Sequence, residues 1–345
     1  MNEIFLPIAL VLLASFFQGT FGLGMKNFRP MAWEAWWLVY ALVAMILLPW
    51  SWAALAVPHL VDSLAAAPLP AVLVAMLFGF LWGVGGILFG VSVTRIGMSL
   101  TYGIVMGLAG SVGSLVPLLS GASGSENRAF PYVIAGVAGM IAGVGIIAWA
   151  GVAREGAQIH RATDIQGGIR KGKEFRKGLA LAALCGVLSA LLNVGFAEAA
   201  PVAKAAVEQG ATTRNSSLAA WVVVLLGAFL MNALYSVVLL VKNRSWASFC
   251  GAGNAGAAGW AVLTGVLWFA ALGVYGQGAA LMGPLGPVIG WPMLLGLALI
   301  VSNLWALRAG EWKGAPGPLR LMLAGVAVLI AACAVLGYSN GMQSS

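Results

Sequence analysis

Arg154-Glu-Gly-Ala-Gln-Ile-His-Arg-Ala-Thr-Asp-Ile-Gln-Gly-Gly-Ile-Arg-Lys-Gly-Lys-Glu-Phe-Arg-Lys177 is the longest charged run in the chain, and it stands between two blocks of five apolar stretches. Outward from it toward the N-terminus, apolar stretches occupy 130–151, 97–120, 69–94, 33–57 and 4–23. Toward the C-terminus they occupy 178–200, 217–241, 258–281, 285–307 and 318–338. Each has about the 20 residues that a helix needs to cross a bilayer. With 61% hydrophobic and 8% charged residues and a mean hydropathy of +0.97, the chain falls far below the roughly 25% charged residues of soluble proteins. Its solvent is therefore lipid, where backbone groups find no partner except in a helix or a closed barrel. The reading is an all-α polytopic membrane protein with ten transmembrane helices.

Charge sets the orientation. The gaps after stretches 1, 3, 5, 7 and 9 hold Lys26, Arg29, Arg95, Arg154, Arg161, Arg170, Lys171, Lys173, Arg176, Lys177, Lys242, Arg244, Arg308, Lys313 and Arg320. The other side holds only Arg128, Lys204 and Arg214. Cytoplasmic loops collect Lys and Arg, so this pattern places both termini outside the cell (inner) membrane and the 152–177 loop in the cytoplasm. The net charge of +8 is then an orientation signal, and no nucleic-acid partner is expected. Glu155, Asp164 and Glu174 within the linker make it a solvated loop able to touch anionic lipid. The first stretch has Glu3 ahead of it and leads into Lys26 and Arg29, which fits a retained helix better than a cleaved signal.

The linker divides the chain into a five-helix repeat (1–151), a basic linker (152–177) and a second five-helix repeat (178–345). Leu81-Trp82, Gly90 and Gly97 recur 186 residues later as Leu267-Trp268, Gly276 and Gly283, with Phe89 matched by Tyr275. Five is odd, so the second copy enters the membrane the other way up. An inverted repeat implies a secondary transporter with its substrate at the repeat interface near the midplane.

Several stretches resemble the L-rhamnose:proton symporter family of the drug/metabolite transporter superfamily. They are Gln18-Gly-Thr-Phe-Gly-Leu-Gly-Met-Lys26, Trp33-Glu34 with Trp37, Leu48-Pro-Trp50, Phe78-Gly-Phe-Leu-Trp-Gly-Val-Gly85, Gly97-Met-Ser99 and Lys177-Gly-Leu179. Then follow Lys242-Asn-Arg-Ser-Trp246, Tyr275-Gly276, Gly283-Pro-Leu-Gly-Pro287, Gly290-Trp291, Asn303 and Gly310-Glu-Trp-Lys-Gly314. The resemblance spans essentially the whole chain, and it implies ten helices in an inverted repeat and proton-coupled import of a 6-deoxyhexose by alternating access. The chain departs from the family pattern at Gly24, where many relatives carry proline, and at Glu198 in the sixth helix.

A small neutral sugar needs a partner for each buried hydroxyl, because an unpaired one costs about 1–3 kcal/mol, and an apolar or aromatic wall for its ring. Uncharged amides and aromatics are the expected lining: Gln18, Asn193 and Gln277 first, then Asn232, Tyr235, Tyr275 and Asn303, with Trp82, Tyr102, Trp268 and Trp291 as platforms. For each polar one the ordinary reading is an interhelical hydrogen bond that holds the bundle, with substrate contact the sharper alternative. Trp33, Trp36, Trp37, Trp50 and Trp52 lie at helix ends, where indoles form interfacial belts.

Proton coupling needs a group that changes charge within the membrane, and buried carboxylates are the natural choice. Only Glu34 and Glu198 lie in or at the edge of a stretch. Glu34 in the first turn of helix 2 also suits the helix dipole alone, and Glu198 also suits an outer vestibule. His59 and His160 fall in loops.

Enzymatic readings are excluded on chemistry. Gly121-Ala-Ser-Gly124 has no membrane histidine to act as base. No H-E-x-x-H motif is present, and Gly167–Lys173 lacks P-loop spacing. The scattered Cys185, Cys250 and Cys333 form no metal or disulfide pattern and read as packing residues. No cofactor is expected. A relative moving another sugar or exporting a metabolite, and a non-transporting sugar sensor, are the alternatives.

Overall fold

The computed structural model describes residues 2–96, 98–120, 130–162, 173–251 and 253–341. Among them are ten helices long and apolar enough to cross a membrane. They are α1 (Phe5–Asn27), α2 (Trp33–Ala56), α3 (Leu69–Val93), α4 (Thr101–Leu119), α5 (Phe130–Arg154), α6 (Glu174–Glu208), α7 (Thr213–Asn243), α8 (Asn254–Leu281), α9 (Gly283–Arg308) and α10 (Pro316–Ser339). The chain is thus an all-α polytopic membrane protein.

The side-chain distribution follows the solvent. Leu69, Leu73 and Leu77 on α3, and Leu230, Leu234, Val238 and Val241 on α7, are exposed at helical spacing, forming stripes that only lipid covers. Polar Ser15, Ser92, Thr101, Ser114, Asn193, Ser236 and Thr264 are buried. Lipid tails are as apolar as leucine, so helices associate here through close packing and hydrogen bonds.

Glycine provides the close packing. A Cβ on Gly79 of α3 would lie 1.9 Å from the Val224 carbonyl oxygen of α7, and one on Gly227 of α7 would lie 1.9 Å from that of Met76. The two glycines thus let the two backbones touch reciprocally. Elsewhere α1 packs on α8 and α9, α3 and α4 on α6, α2 on α7 and α8, α4 on α5 and α9, α8 on α9, and α10 on α5 and α9. Exchanging each helix for the one five places along maps most of these pairs onto one another, whereas the α7–α8 and α5–α9 contacts have no comparable counterpart. For example, α3 with α6 becomes α8 with α1, and α3 with α7 becomes α8 with α2.

Three local features depart from the sequence reading. The α5 helix does not stop at the membrane edge but runs on to Ala162, and the next helix begins at Lys173. Part of the 152–177 linker is therefore helical, and His160, expected in a loop, lies on that extension. Alanine, Arg154, Glu155 and Gln158 are good helix formers in water, so nothing in the polar stretch ends the helix. Trp36, expected in an interfacial belt, is fully buried; it stacks between Trp33 and Tyr40 at ring separations of 5.6 and 6.0 Å. The α2 helix contains a π turn over Val43–Leu47 just before Pro49, where the wider turn accommodates the missing N–H and bulky ring of proline. Gly121–Gly124 and Arg128 lie outside the described residues.

If the Gly79–Gly227 contact sets the α3–α7 distance, Gly227→Ala forces the helices apart and costs about 1–3 kcal/mol, the range of overpacking. Thermal unfolding in detergent should show a clear drop in Tm; an unchanged Tm would contradict this packing.

Candidate functional site

Two prolines inside membrane helices create the polar centre. Pro117 in α4 has no N–H for the carbonyl of Gly113, and Pro292 in α9 has none for that of Val288. A carbonyl freed in hydrocarbon must find another donor, and side chains of neighbouring helices are the usual source. Asn193 of α6 donates from Nδ2 to the Gly113 carbonyl at 2.8 Å and to that of Pro287 on α9 at 2.9 Å. The Ser114 hydroxyl of α4 donates to the Val288 carbonyl at 2.6 Å. The Asn193 Oδ1 in turn accepts from the Tyr275 hydroxyl of α8 at 2.5 Å. One fully buried amide therefore joins α4, α6, α8 and α9, with both amide hydrogens and its oxygen engaged.

Aromatic rings close around this amide. Trp291 donates from Nε1 to the Ala109 carbonyl at 3.0 Å, and its ring lies 5.5 Å from that of Tyr275. Phe196 stacks on Trp221 at 4.5 Å, and both rings lie against Tyr275. A Cβ on Gly113 would lie 2.6 Å from Trp291 Nε1, and one on Gly276 2.4 Å from Trp221 Nε1. Both glycines make room for an indole.

The seam separates two cavities. On the side of the α6 and α8 C-termini, one of 410 Å³ is lined by Phe196, Glu198, Ser217, Pro284 and Pro287 among others. Its floor is the Asn193 cluster, since Phe196 and Pro287 both belong to that cluster. On the opposite face, which carries most of the Lys and Arg, one of 330 Å³ lies between α1, α4, α5 and α9 and is lined by Tyr102, Asn303, Trp305, Glu311 and Arg154 among others.

The sequence-predicted residues fall into separate groups. Asn193, Tyr275 and Trp291 meet in the seam. Trp82 and Trp268 stack on each other at 5.5 Å, with Tyr40 edge-on to Trp268 and Trp37 donating to Asn232 Oδ1 at 2.9 Å. Tyr102 lines the cavity on the basic face. Gln18 keeps a buried Oε1 without a partner among the described residues. Gln277 is 5% exposed, and no hydrogen bond holds its side chain among the described residues. Tyr235 is half-buried on α7. Asn303 donates to its own helix at Leu299.

The two carboxylates are on opposite faces. Glu34 is buried and accepts from Asn243 Nδ2 at 2.9 Å and the Ser245 hydroxyl at 2.5 Å. It thereby joins the Trp33-Glu34 motif to the Lys242–Trp246 motif of the other half. Glu198 is half-buried at the other cavity, while Lys204, its nearest cation in sequence, lies 4.0 Å from Glu208 instead. Among the cysteines, Cys185 packs against α3 and donates to the Gly85 carbonyl, whereas Cys250 is exposed. Sequence reasoning missed Ser114, Phe196 and Trp221; the signal for Ser114 was a proline four residues beyond the carbonyl it serves.

Ten membrane helices around a polar seam, with a cavity on each face, define a multi-pass membrane protein built on the plan of a transporter. The family model described as L-rhamnose-proton symport protein (RhaT) matches residues 1–344, and the chain belongs to that family. A curated L-rhamnose-proton symporter of Citrobacter koseri is 29% identical over 328 residues, covering 92% of each chain. One of Yersinia pestis is 27% identical, covering 97% of this chain and 98% of its own. A solved crystal structure with a TM-score of 0.53 and 15% identity covers 96% of each chain and shares the fold.

Removing the proline should rescue the loss of the amide. Asn193→Ala leaves the Gly113 carbonyl and the Tyr275 hydroxyl without their partner, at about 1–3 kcal/mol for each group left unsatisfied. In a Pro117→Ala background, residue 117 regains the N–H that Gly113 lacks, and the penalty shrinks. Unfolding of the two single variants and the double variant in detergent measures the coupling; additive losses would contradict it.

Proposed function

We propose that this chain imports L-rhamnose or a closely related 6-deoxy sugar together with protons, by alternating access across the cell inner membrane. Its family membership over essentially the whole chain carries the reading, and the curated relatives named above are L-rhamnose-proton symporters. The reading assigns it transport, with no enzymatic step and no nucleic-acid partner. The basic face is cytoplasmic and both termini lie on the other side, as the Lys and Arg distribution favours.

The mechanism rests on an inverted repeat of 1–151 and 178–345. Two observations support it: most neighbouring helix pairs, though not α7–α8 or α5–α9, keep a counterpart when helices five places apart are exchanged, and Trp82 and Trp268, matched in the repeat, stack on each other. In such folds the halves rock about a central site. The seam of Asn193, Tyr275 and Trp291 is then the outer barrier, and its opening exposes an amide, a phenol and an indole to the sugar. Hydroxyls replace the helix-to-helix bonds one for one, so the buried polar groups stay satisfied in both states. Gln18 and Gln277 add amides that have no partner among the described residues, and Tyr102, Trp82 and Trp268 supply aromatic faces along the path.

Glu198 and Glu34 are the coupling groups. Glu198 stands in the outer cavity, where it takes the proton. Glu34 latches the α7–α8 connection to α2 on the inner face, where loss of that latch accompanies inward opening.

Purified protein in proteoliposomes with an inward proton gradient should accumulate labelled L-rhamnose, and a protonophore should abolish the accumulation. Absence of rhamnose uptake by folded protein would contradict the substrate assignment. Glu198→Gln and Glu34→Gln should each bring uptake down to the equilibrium level while sugar exchange persists; gradient-driven accumulation in either variant would remove that residue from the coupling.

A further inference from the structure

The 330 Å³ cavity on the basic face lies off the Asn193 seam. Tyr102 stands seven residues before Ala109 on α4, and Asn303 twelve after Trp291 on α9. At 1.5 Å per residue the cavity is roughly 10–18 Å nearer that face than the seam is. Its volume is at the low end of the roughly 300–1,000 Å³ of small-molecule sites.

The polar inventory suits a ligand rich in hydroxyls. The Tyr102 hydroxyl has no hydrogen-bond partner among the described residues. Asn303 spends Nδ2 on the Leu299 carbonyl at 2.9 Å, leaving Oδ1 as an acceptor toward the cavity. At the rim, Glu311 bridges Lys26 and Arg154, each at 3.3 Å, and the Arg154 guanidinium lies 4.8 Å over the Trp312 ring. Both cations are already engaged by one carboxylate, so a phosphate would have to displace Glu311 and sit beside its charge. A neutral polyol meets no such penalty and finds donors, acceptors and apolar walls together.

We propose that this cavity is a second sugar site, separate from the seam, where L-rhamnose rests on the basic face of the transporter with Tyr102 and Asn303 contacting its hydroxyls. The inference rests on the rhamnose reading above. Helix ownership makes it a site between the halves: Lys26 and Tyr102 come from the first, Asn303 and Glu311 from the second, and Arg154 from the start of the linker.

Two measurements test it. Ser302 lines the cavity, so Ser302→Cys should react with a maleimide added from the basic face, and L-rhamnose at ten times its half-saturating concentration should slow that reaction about tenfold. In sided proteoliposomes, Tyr102→Phe should raise the half-saturating rhamnose concentration from the basic face about tenfold, as expected for one lost hydrogen bond. From the other face the shift should be much smaller. Absence of rhamnose transport from either face would overturn the parent reading and this site with it. Transport without protection of the cysteine, equal shifts from both faces, or protection by anionic lipid but not by sugar would overturn this site alone.

Discussion

Two carbonyls that proline leaves without a partner, those of Gly113 and Val288, govern the interior of this protein. In water such groups would be solvated at little cost; in a bilayer each must be answered by a side chain from another helix. Asn193 and Ser114 answer them, and so α4, α6 and α9 are held in one register. Tyr275 completes the amide and brings in α8. The seam is held by neutral hydrogen bonds, so it can be exchanged for sugar hydroxyls without moving a charge through hydrocarbon.

That choice of chemistry separates two tasks. In the proposed cycle buried neutral groups bind and gate, while the carboxylates stand nearer the faces, Glu198 at one cavity and Glu34 beneath the loop that joins α7 to α8. Each carboxylate lies within reach of a cavity or a connecting loop, where its ionisation is affordable. The close glycine contact of α3 with α7 and the packing of α5 on α10 give the gating helices firm supports.

Much of this was legible in the sequence because hydropathy and charge are properties of single stretches. The ten spans fall close to the apolar runs, and Glu34 is in the first turn of its helix, as its place at the start of the 33–57 stretch implied. Contacts between distant stretches were not legible. Asn193 presents the same side chain whether it binds sugar or carbonyls 80 and 94 residues away. Trp36 sits near a helix end like the belt tryptophans, yet it is fully buried, stacked between Trp33 and Tyr40. The signal that was available is the prolines: one inside an apolar span names the carbonyl four residues earlier as in need of a donor, though not which helix supplies it.

The most direct test of the gate is a distance. Spin labels at Leu119 on α4 and Val207 on α6, both exposed on the side of the 410 Å³ cavity, report whether the seam opens. With L-rhamnose and a proton gradient, two distance populations are expected, in a ratio that the sugar changes. A single distance unaffected by sugar or gradient, in protein that transports, would contradict a seam that opens at Asn193.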